Sequence, residues 1–264
     1  MADEFDPEAH EDVLARHTHA VIKEGTEKIT GTRDEIADVI RQAEEEAAEA
    51  ERQKVLEEQQ RKTAYTQTFS GRRFYPYEPR TSDIAIADIA HALSYQCRYS
   101  GHCRQFYSVA QHSVIVSYLV SKPNAFEGLM HDSQEAYVSD VASPIKKVVP
   151  EFAVFEQKIW SVIAERFGIK EELCHEVKTV DKLVCKWEYE RFLNPMVEED
   201  EYWPPYQWTK NVDFSHDPEP IIDEYMSHGW SPDEAEQRFM TRFHELYAKE
   251  HERRGFYGKE APAT

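Results

Sequence analysis

Apolar positions recur every three or four residues over most of the chain, a spacing that predicts helices with one buried face rather than strands. Residues 32 to 62, TRDEIADVIRQAEEEAAEAERQKVLEEQQRK, read as one long helix opened by a Thr-x-x-Glu capping box. Its apolar positions, Ile36, Val39, Ile40, Ala43, Ala47 and Ala50, are mostly small. The face it can bury is therefore thin, and packing against the main domain or a second subunit is expected. A shorter helix starting at Asp6-Pro7 is expected before it, with residues 25 to 31 between the two. His10, His17 and His19 there lack the i,i+4 spacing of paired ligands and are expected to face solvent.

Residues 63 to 82, TAYTQTFSGRRFYPYEPRTS, are rich in aromatic residues, Pro and Gly and predict an ordered extended or turn segment. Helical patterns then follow one another, with no hairpin signature among them. IADIAHALSY is amphipathic, Ser108 and Gln111 form a capping box for SVAQHSVIVSYLV, and Asn124 is a candidate cap for AFEGLMHDSQEAYV. EFAVFEQKIWSVIAERF and EELCHEVKTVDKLVCKWEYERF are separated by Gly168. Prolines break PMVEEDEYWPPYQWTKNVDFSHDPEP into a long loop or insertion; a last helix opens at Ser231-Pro232, and the tail after Arg254 is expected to fray. The pattern predicts an all-α fold in three parts: a helical acidic extension over 1–62, a main domain over 63–195, and a loop-plus-helix extension over 196–264.

Composition narrows the classes. A chain of 264 residues, 41% hydrophobic and 31% charged, is that of a globular protein with ample core. No apolar run approaches the roughly 20 residues of a membrane span, and the acidic start MADEFDPEAHEDV does not look like a signal peptide, so a cytoplasmic address is expected. Cys97, Cys103, Cys174 and Cys185 are scattered and predict buried, reduced thiols. Cys97, His102 and Cys103 lack the C-x-x-C pair of a zinc site. The net charge of −19 argues against a general grip on duplex nucleic acid. Its distribution is uneven: residues 1–62 carry net −9, whereas residues 63–112 carry net +2 through Arg72, Arg73, Arg80, Arg98 and Arg104. A local anion site is compatible with that balance, as is pairing of these arginines with nearby carboxylates.

The segment GLMHDSQEAYVSD concentrates chemistry. His131 and Asp132 diverge by about 100° on a helix yet can reach one ion between them, and Glu135 lies one turn on. His112, inside an apolar helix, and Asp181, inside EVKTVDKLVCKW, are polar groups that need partners if buried. The ordered set His112, His131-Asp132 and Asp181 resembles the metal signature of the HD-domain phosphohydrolases. HDSQEAYVSDVASPIKK looks like the HD-x-x-E, Asp and Pro-x-Lys elements of 5′-deoxynucleotidases. FYSVAQHS, with FSGRRFYPYEPR through ALSYQCRYSGH, is similar to a phage and prophage branch akin to phage deoxyadenosine triphosphate triphosphohydrolases. The resemblance spans roughly residues 64 to 195, and Arg98-Tyr99 stands where the nucleotidases have Arg-Trp.

That resemblance implies an HD-type helical bundle and a metal-dependent phosphohydrolase of small deoxynucleotides, acting on monophosphates or releasing triphosphate. Its metal ligands would be His112, His131, Asp132 and Asp181, a donor set suited to cobalt, manganese, iron, nickel or zinc. Glu135 would move a proton and Asp140 orient water or a sugar hydroxyl. Arg98, Tyr99 and Lys146 would contact substrate. A cytoplasmic homo-oligomer, encoded by phage or prophage, is the expected setting. The alternatives are a phosphodiesterase of cyclic nucleotides or guanosine polyphosphates, and a non-catalytic scaffold with a structural metal.

Overall fold

A computed structural model describes residues 33–196 and 217–253. The helix expected at Asp6-Pro7 with its histidines, the Thr32 cap, most of the proline-broken insertion and the tail beyond Arg254 lie outside the described residues. The chain divides into two compact units, residues 1–59 and 60–264. Most of α1 (Arg33–Thr63) belongs to the first. It is an unbroken helix laced by local pairs such as Arg41 with Asp38 (2.6 Å) and Gln42 with Glu46 (3.1 Å), and it leaves Val39, Val55 and Leu56 about half exposed.

The second unit opens with a short antiparallel ribbon, β1 (Thr66–Gln67) and β2 (Arg73–Phe74), within the segment expected to be extended. Gly71, at φ +80°, supplies its left-handed turn. Asp88 accepts from the backbone N–H and the hydroxyl of Ser70 (2.6 and 2.9 Å), tying the ribbon to α2 (Ile86–Tyr95). Next comes α3 (Val109–Leu119), whose residues from Val109 through Ser117 are all buried, making it the central helix. The Ser108 hydroxyl caps it by accepting from the Gln111 N–H at 3.1 Å, but the Gln111 side chain does not close the expected capping box because it bonds the Tyr225, His228 and Trp230 backbone instead.

The stretch AFEGLMHDSQEAYV departs from the single helix expected of it. It splits into α4 (Ala125–Met130) and α5 (Glu135–Val138). Between them the N–H groups of Ser133 and Glu135 donate to the carbonyls of Met130 and Asp132, three residues back (2.9 and 3.0 Å). Such bonds tighten the backbone into turns. Asn124 does not cap α4 with its side chain; its amide donates instead to Ser121 Oγ at 3.3 Å and to Glu176.

Four further helices follow: α6 (Ser143–Val148), α7 (Pro150–Phe167), α8 (His175–Phe192) and, past the undescribed insertion, α9 (Glu219–Tyr225), before the last, α10 (Pro232–Arg253). Gly168 closes α7 in the left-handed conformation, and Ser231 Oγ accepts from the Glu234 N–H at 3.2 Å to open α10. Helix α10 packs against α2, α3 and α4 and adds Phe239, Phe243 and Leu246 to their core. The described residues 217–253 are thus built into the main unit. Gln111 pins the approach to α10: its amide donates to the carbonyls of Tyr225 and His228 (2.8 and 2.9 Å), and its Oε1 accepts from the Trp230 N–H (2.9 Å). The architecture is all-α apart from the ribbon, and among the described residues no helix is long and apolar enough to cross a membrane. The four cysteines are free and half-buried rather than fully buried.

Candidate functional site

Helices α3 and α8 and the α4–α5 turn bring four donors together. His112, His131, Asp132 and Asp181 each present one ligand atom, all within 4.8 Å of one another. His112 Nε2 lies 3.3 Å from His131 Nε2 and 3.1 Å from Asp181 Oδ1, and His131 Nε2 lies 3.2 Å from Asp132 Oδ2. Donors held about 2.0–2.2 Å from one ion stand roughly this far apart, so the spacing fits a divalent cation. Because His131 and Asp132 sit in a turn, both point at one centre. Both imidazoles are buried, while Asp181 is one-third exposed and marks the open side.

The remaining ring nitrogens are also fixed. His131 Nδ1 lies 2.8 Å from the Gly128 carbonyl and His112 Nδ1 lies 2.6 Å from Glu188 Oε1. Each partner is an acceptor, so each Nδ1 carries a proton and each Nε2 is the nitrogen turned toward the cluster. Glu188 is fully buried and also accepts from Tyr107 (2.8 Å), Tyr99 (2.6 Å) and the Arg98 guanidinium (3.2 Å from Nη2). Burial pushes its carboxyl up, but Arg98 and His112 outweigh burial and hold it at about 2. Asp132 is likewise held at about 2, burial being overcome by His131. Asp181 stays well below the usual range because both imidazoles overcome its burial. Two ionised carboxylates and two oriented imidazoles are a set a borderline divalent ion suits.

Glu135 sits beside this centre with different electrostatics. Only 4% exposed, it is raised well above the usual carboxylate range by burial and then by the negative charges of Asp132 and Asp140. Its Oε1 is 3.3 Å from Lys146 Nζ, whereas its buried Oε2 has no hydrogen-bond partner among the described residues. A carboxyl with a raised affinity for its proton and a free oxygen beside a candidate cation site is equipped for acid–base work. Gln96 holds the segment at both ends, donating to the Glu135 carbonyl (3.0 Å) and accepting from the Asp140 N–H (3.1 Å). Between them Ser139 takes φ +70°, a strained turn for a residue other than glycine.

The three substrate-contact candidates are engaged with protein. Arg98 is buried, bonded to Glu188, and places Nη1 3.7 Å from Asp132 Oδ2. Tyr99, at φ +55°, spends its hydroxyl on Glu188. Lys146 Nζ lies between Glu135 and Glu156, 2.7 Å from the latter. Glu188, Tyr107 and Gln96 escaped the sequence reading. Glu188 carried a detectable signal, standing seven residues after Asp181 and hence on the same face of α8.

No family model matches the chain. It is 36% identical over 183 residues to a protein of Escherichia coli named Uncharacterized protein YfdR, across 69% of this chain and 96% of that protein. It is 30% identical over 131 residues to Uncharacterized protein RCAP_rcc00048 of Rhodobacter capsulatus, across 46% of this chain and 67% of that one. With nearly the whole of the Escherichia coli protein covered at that identity, the chain belongs to the YfdR family.

Proposed function

We propose that this protein is a metal-dependent phosphohydrolase of the HD type, acting on small deoxynucleotides as monophosphates or triphosphates. The observation that carries the reading is the buried Oε2 of Glu135, without a hydrogen-bond partner among the described residues, beside the four-donor cluster. A metal that only braced the fold would have no use for it.

His112, His131, Asp132 and Asp181 would hold the ion. When bound, it supplies Lewis acidity toward a phosphoryl oxygen and acidifies water. Glu135 receives or returns a proton at Oε2, its readiness to hold one set by burial and by Asp132 and Asp140. Lys146 keeps the other oxygen of Glu135 in place, and Asp140 supports proton affinity and presents an acceptor to water or a sugar hydroxyl. Arg98 meets Asp132 and Glu188 from behind, and a phosphoryl group approaching the cluster would find its guanidinium within the same small site.

Incubating the purified protein with each deoxynucleoside mono- and triphosphate in cobalt, manganese, zinc or nickel, and identifying the product, tests this. Orthophosphate identifies a nucleotidase and triphosphate a triphosphohydrolase. Turnover of cyclic nucleotides or guanosine polyphosphates instead replaces the substrate class, and no turnover of any nucleotide leaves the scaffold reading.

A further inference from the structure

The ribbon that opens the main unit carries a different chemistry on its outer face. Its register sets Thr66 opposite Phe74 and Gln67 opposite Arg73, so Tyr65, next along, faces Tyr75. Side chains alternate along a strand, which puts Tyr65, Arg73 and Tyr75 on one side and the fully buried Phe74 on the other. The two tyrosine rings lie 5.9 Å apart, with the Arg73 guanidinium over Tyr65 at 4.7 Å and that of Arg80 over Tyr75 at 5.2 Å. Two residues on, Lys158 of α7 reaches Tyr77, its ammonium 4.9 Å from the ring centre and 3.4 Å from the carbonyl oxygen.

These groups are open to a partner. Arg73, Arg80 and Lys158 are exposed, and none of the three forms an ion pair with a carboxylate among the described residues. Glu78 is the one acidic residue between positions 63 and 82, and it stands 3.9 Å from Lys62. A guanidinium laid on a ring keeps the N–H groups in its own plane for an anion. Tyr65 is 50% exposed and offers ring surface as well. The platform is also held in place, because Ser70 at the ribbon's turn is bonded to Asp88, so little ordering is needed on binding.

Cations interleaved with tyrosines, on a chain of net charge −19, call for a partner that is anionic at short intervals and carries planar groups. A single strand of nucleic acid has both: phosphates for the cations and unpaired bases to stack on tyrosine. A duplex keeps its bases stacked within, and its denser charge meets an acidic protein. An acidic peptide brings charge without planar faces. We infer that the outer face of the ribbon, Tyr65, Arg73 and Tyr75 with Arg80 and Lys158, binds single-stranded nucleic acid. The inference is independent of the metal cluster and of any hydrolysis there.

Fluorescence anisotropy of a labelled oligo(dT) of about ten nucleotides, within the span such sites cover, tests it. The full chain is used in EDTA, so that no cation bridges a phosphate to the cluster. The oligonucleotide is expected to bind more tightly than a duplex of the same length, than thymidine monophosphate or than polyglutamate of the same charge. Three phosphate contacts on a single strand give a slope of log K against log salt of about −2, and the double variant Arg73→Gln, Arg80→Gln is expected to bring it to about −0.7. Tyr65→Ala is expected to weaken binding about tenfold, and Tyr65→Phe, which keeps the ring, to restore it. These side chains are exposed, so the variants keep the fold. No binding of the single strand, equal affinity for the duplex, the mononucleotide or polyglutamate, or parent-like binding by the double arginine variant or by Tyr65→Ala overturns the inference.

Discussion

His112 Nδ1 and Glu188 Oε1 stand 2.6 Å apart, both residues fully buried. Glu188 also holds Arg98, whose guanidinium reaches toward Asp132, so one carboxylate orients one proposed ligand directly and touches the setting of a second. Partners of this kind fix the tautomer and raise the basicity of the ligating nitrogen.

Glu188→Gln keeps the size of the side chain but removes its charge. Its amide NH2 also stands where the carboxylate oxygens only accepted, so Tyr99, Tyr107, Arg98 and His112 can no longer all donate to it. Metal affinity is expected to fall about 10- to 100-fold, the usual effect of losing such a partner, with Arg98 left buried and short of a counter-charge. Metal titration calorimetry measures this, and an affinity within twofold of the parent would reduce Glu188 to a packing residue.

Glu135→Gln is expected to lower nucleotide turnover by about 10²-fold or more while leaving the metal in place. It is also expected to stabilise the metal-free protein near neutral pH. The sign follows from the raised carboxyl: its folded value lies above the unfolded one, so its contribution is present below about pH 4.3 and is lost as pH rises through the folded value. A neutral amide does not incur that loss. Each kcal/mol gained is worth roughly 2–4 °C in a domain of this size, so thermal melts of both proteins at pH 4 and pH 8 should converge in acid and diverge in base.

Much of the site was legible because its ligands are chemically out of place. A histidine amid the apolar SVAQHSVIV and an aspartate amid VDKLV need partners, and it was the resemblance of their order to the HD-domain metal signature that grouped them with His131 and Asp132. Ser108, Gly168 and Ser231 announced helix ends because capping is local chemistry. The rest depends on packing across the chain. Glu188 becomes a hub only when α8 lies beside α3, bringing together residues 76 positions apart. The break after Met130 was hidden because AFEGLMHDSQEAYV contains no glycine or proline at the turn. Arg98 and Lys146 read as candidate substrate contacts, and nothing local reveals Glu188 or Glu156 as their partners.

Proton release on metal binding is a third expectation. In the metal-free site burial works against protonating His131, but Asp132 and Asp181 outweigh it and raise the imidazole well above its ordinary value. A proton must then leave as a cation binds, so affinity is expected to fall as pH drops through that raised value and to level off above it. The stability sign is the opposite for the metal-free protein, where this raised group contributes below the unfolded value of about 6.5 and its contribution fades as pH rises through the folded one. Calorimetry of cobalt binding near pH 7 in buffers of different ionisation enthalpy reads the proton count directly. A count near zero would mean that the cation binds elsewhere.

Gly229→Ala tests how the last two helices are fixed to the site. A Cβ there would lie 1.7 Å from the Phe106 carbonyl oxygen, and backbone cannot yield as a flexible side chain does. Accommodating it means displacing the Tyr225–Trp230 segment, whose backbone groups are bonded to Gln111, next to His112. Overpacking of this kind costs typically 1–3 kcal/mol and sometimes more. Gly71→Ala is the matching control: it has open space around it and only the left-handed φ of +80° to penalise, about 1–2 kcal/mol for a side chain. Gly229→Ala is therefore expected to be the less stable of the two in urea unfolding, and to weaken metal binding as well, because the shift is transmitted to α3. Gly71 is exposed and a Cβ there meets nothing, so its variant should bind metal as the parent does. If both variants lost equal stability and kept full metal affinity, Gln111 would not be the link between the C-terminal helices and the cluster.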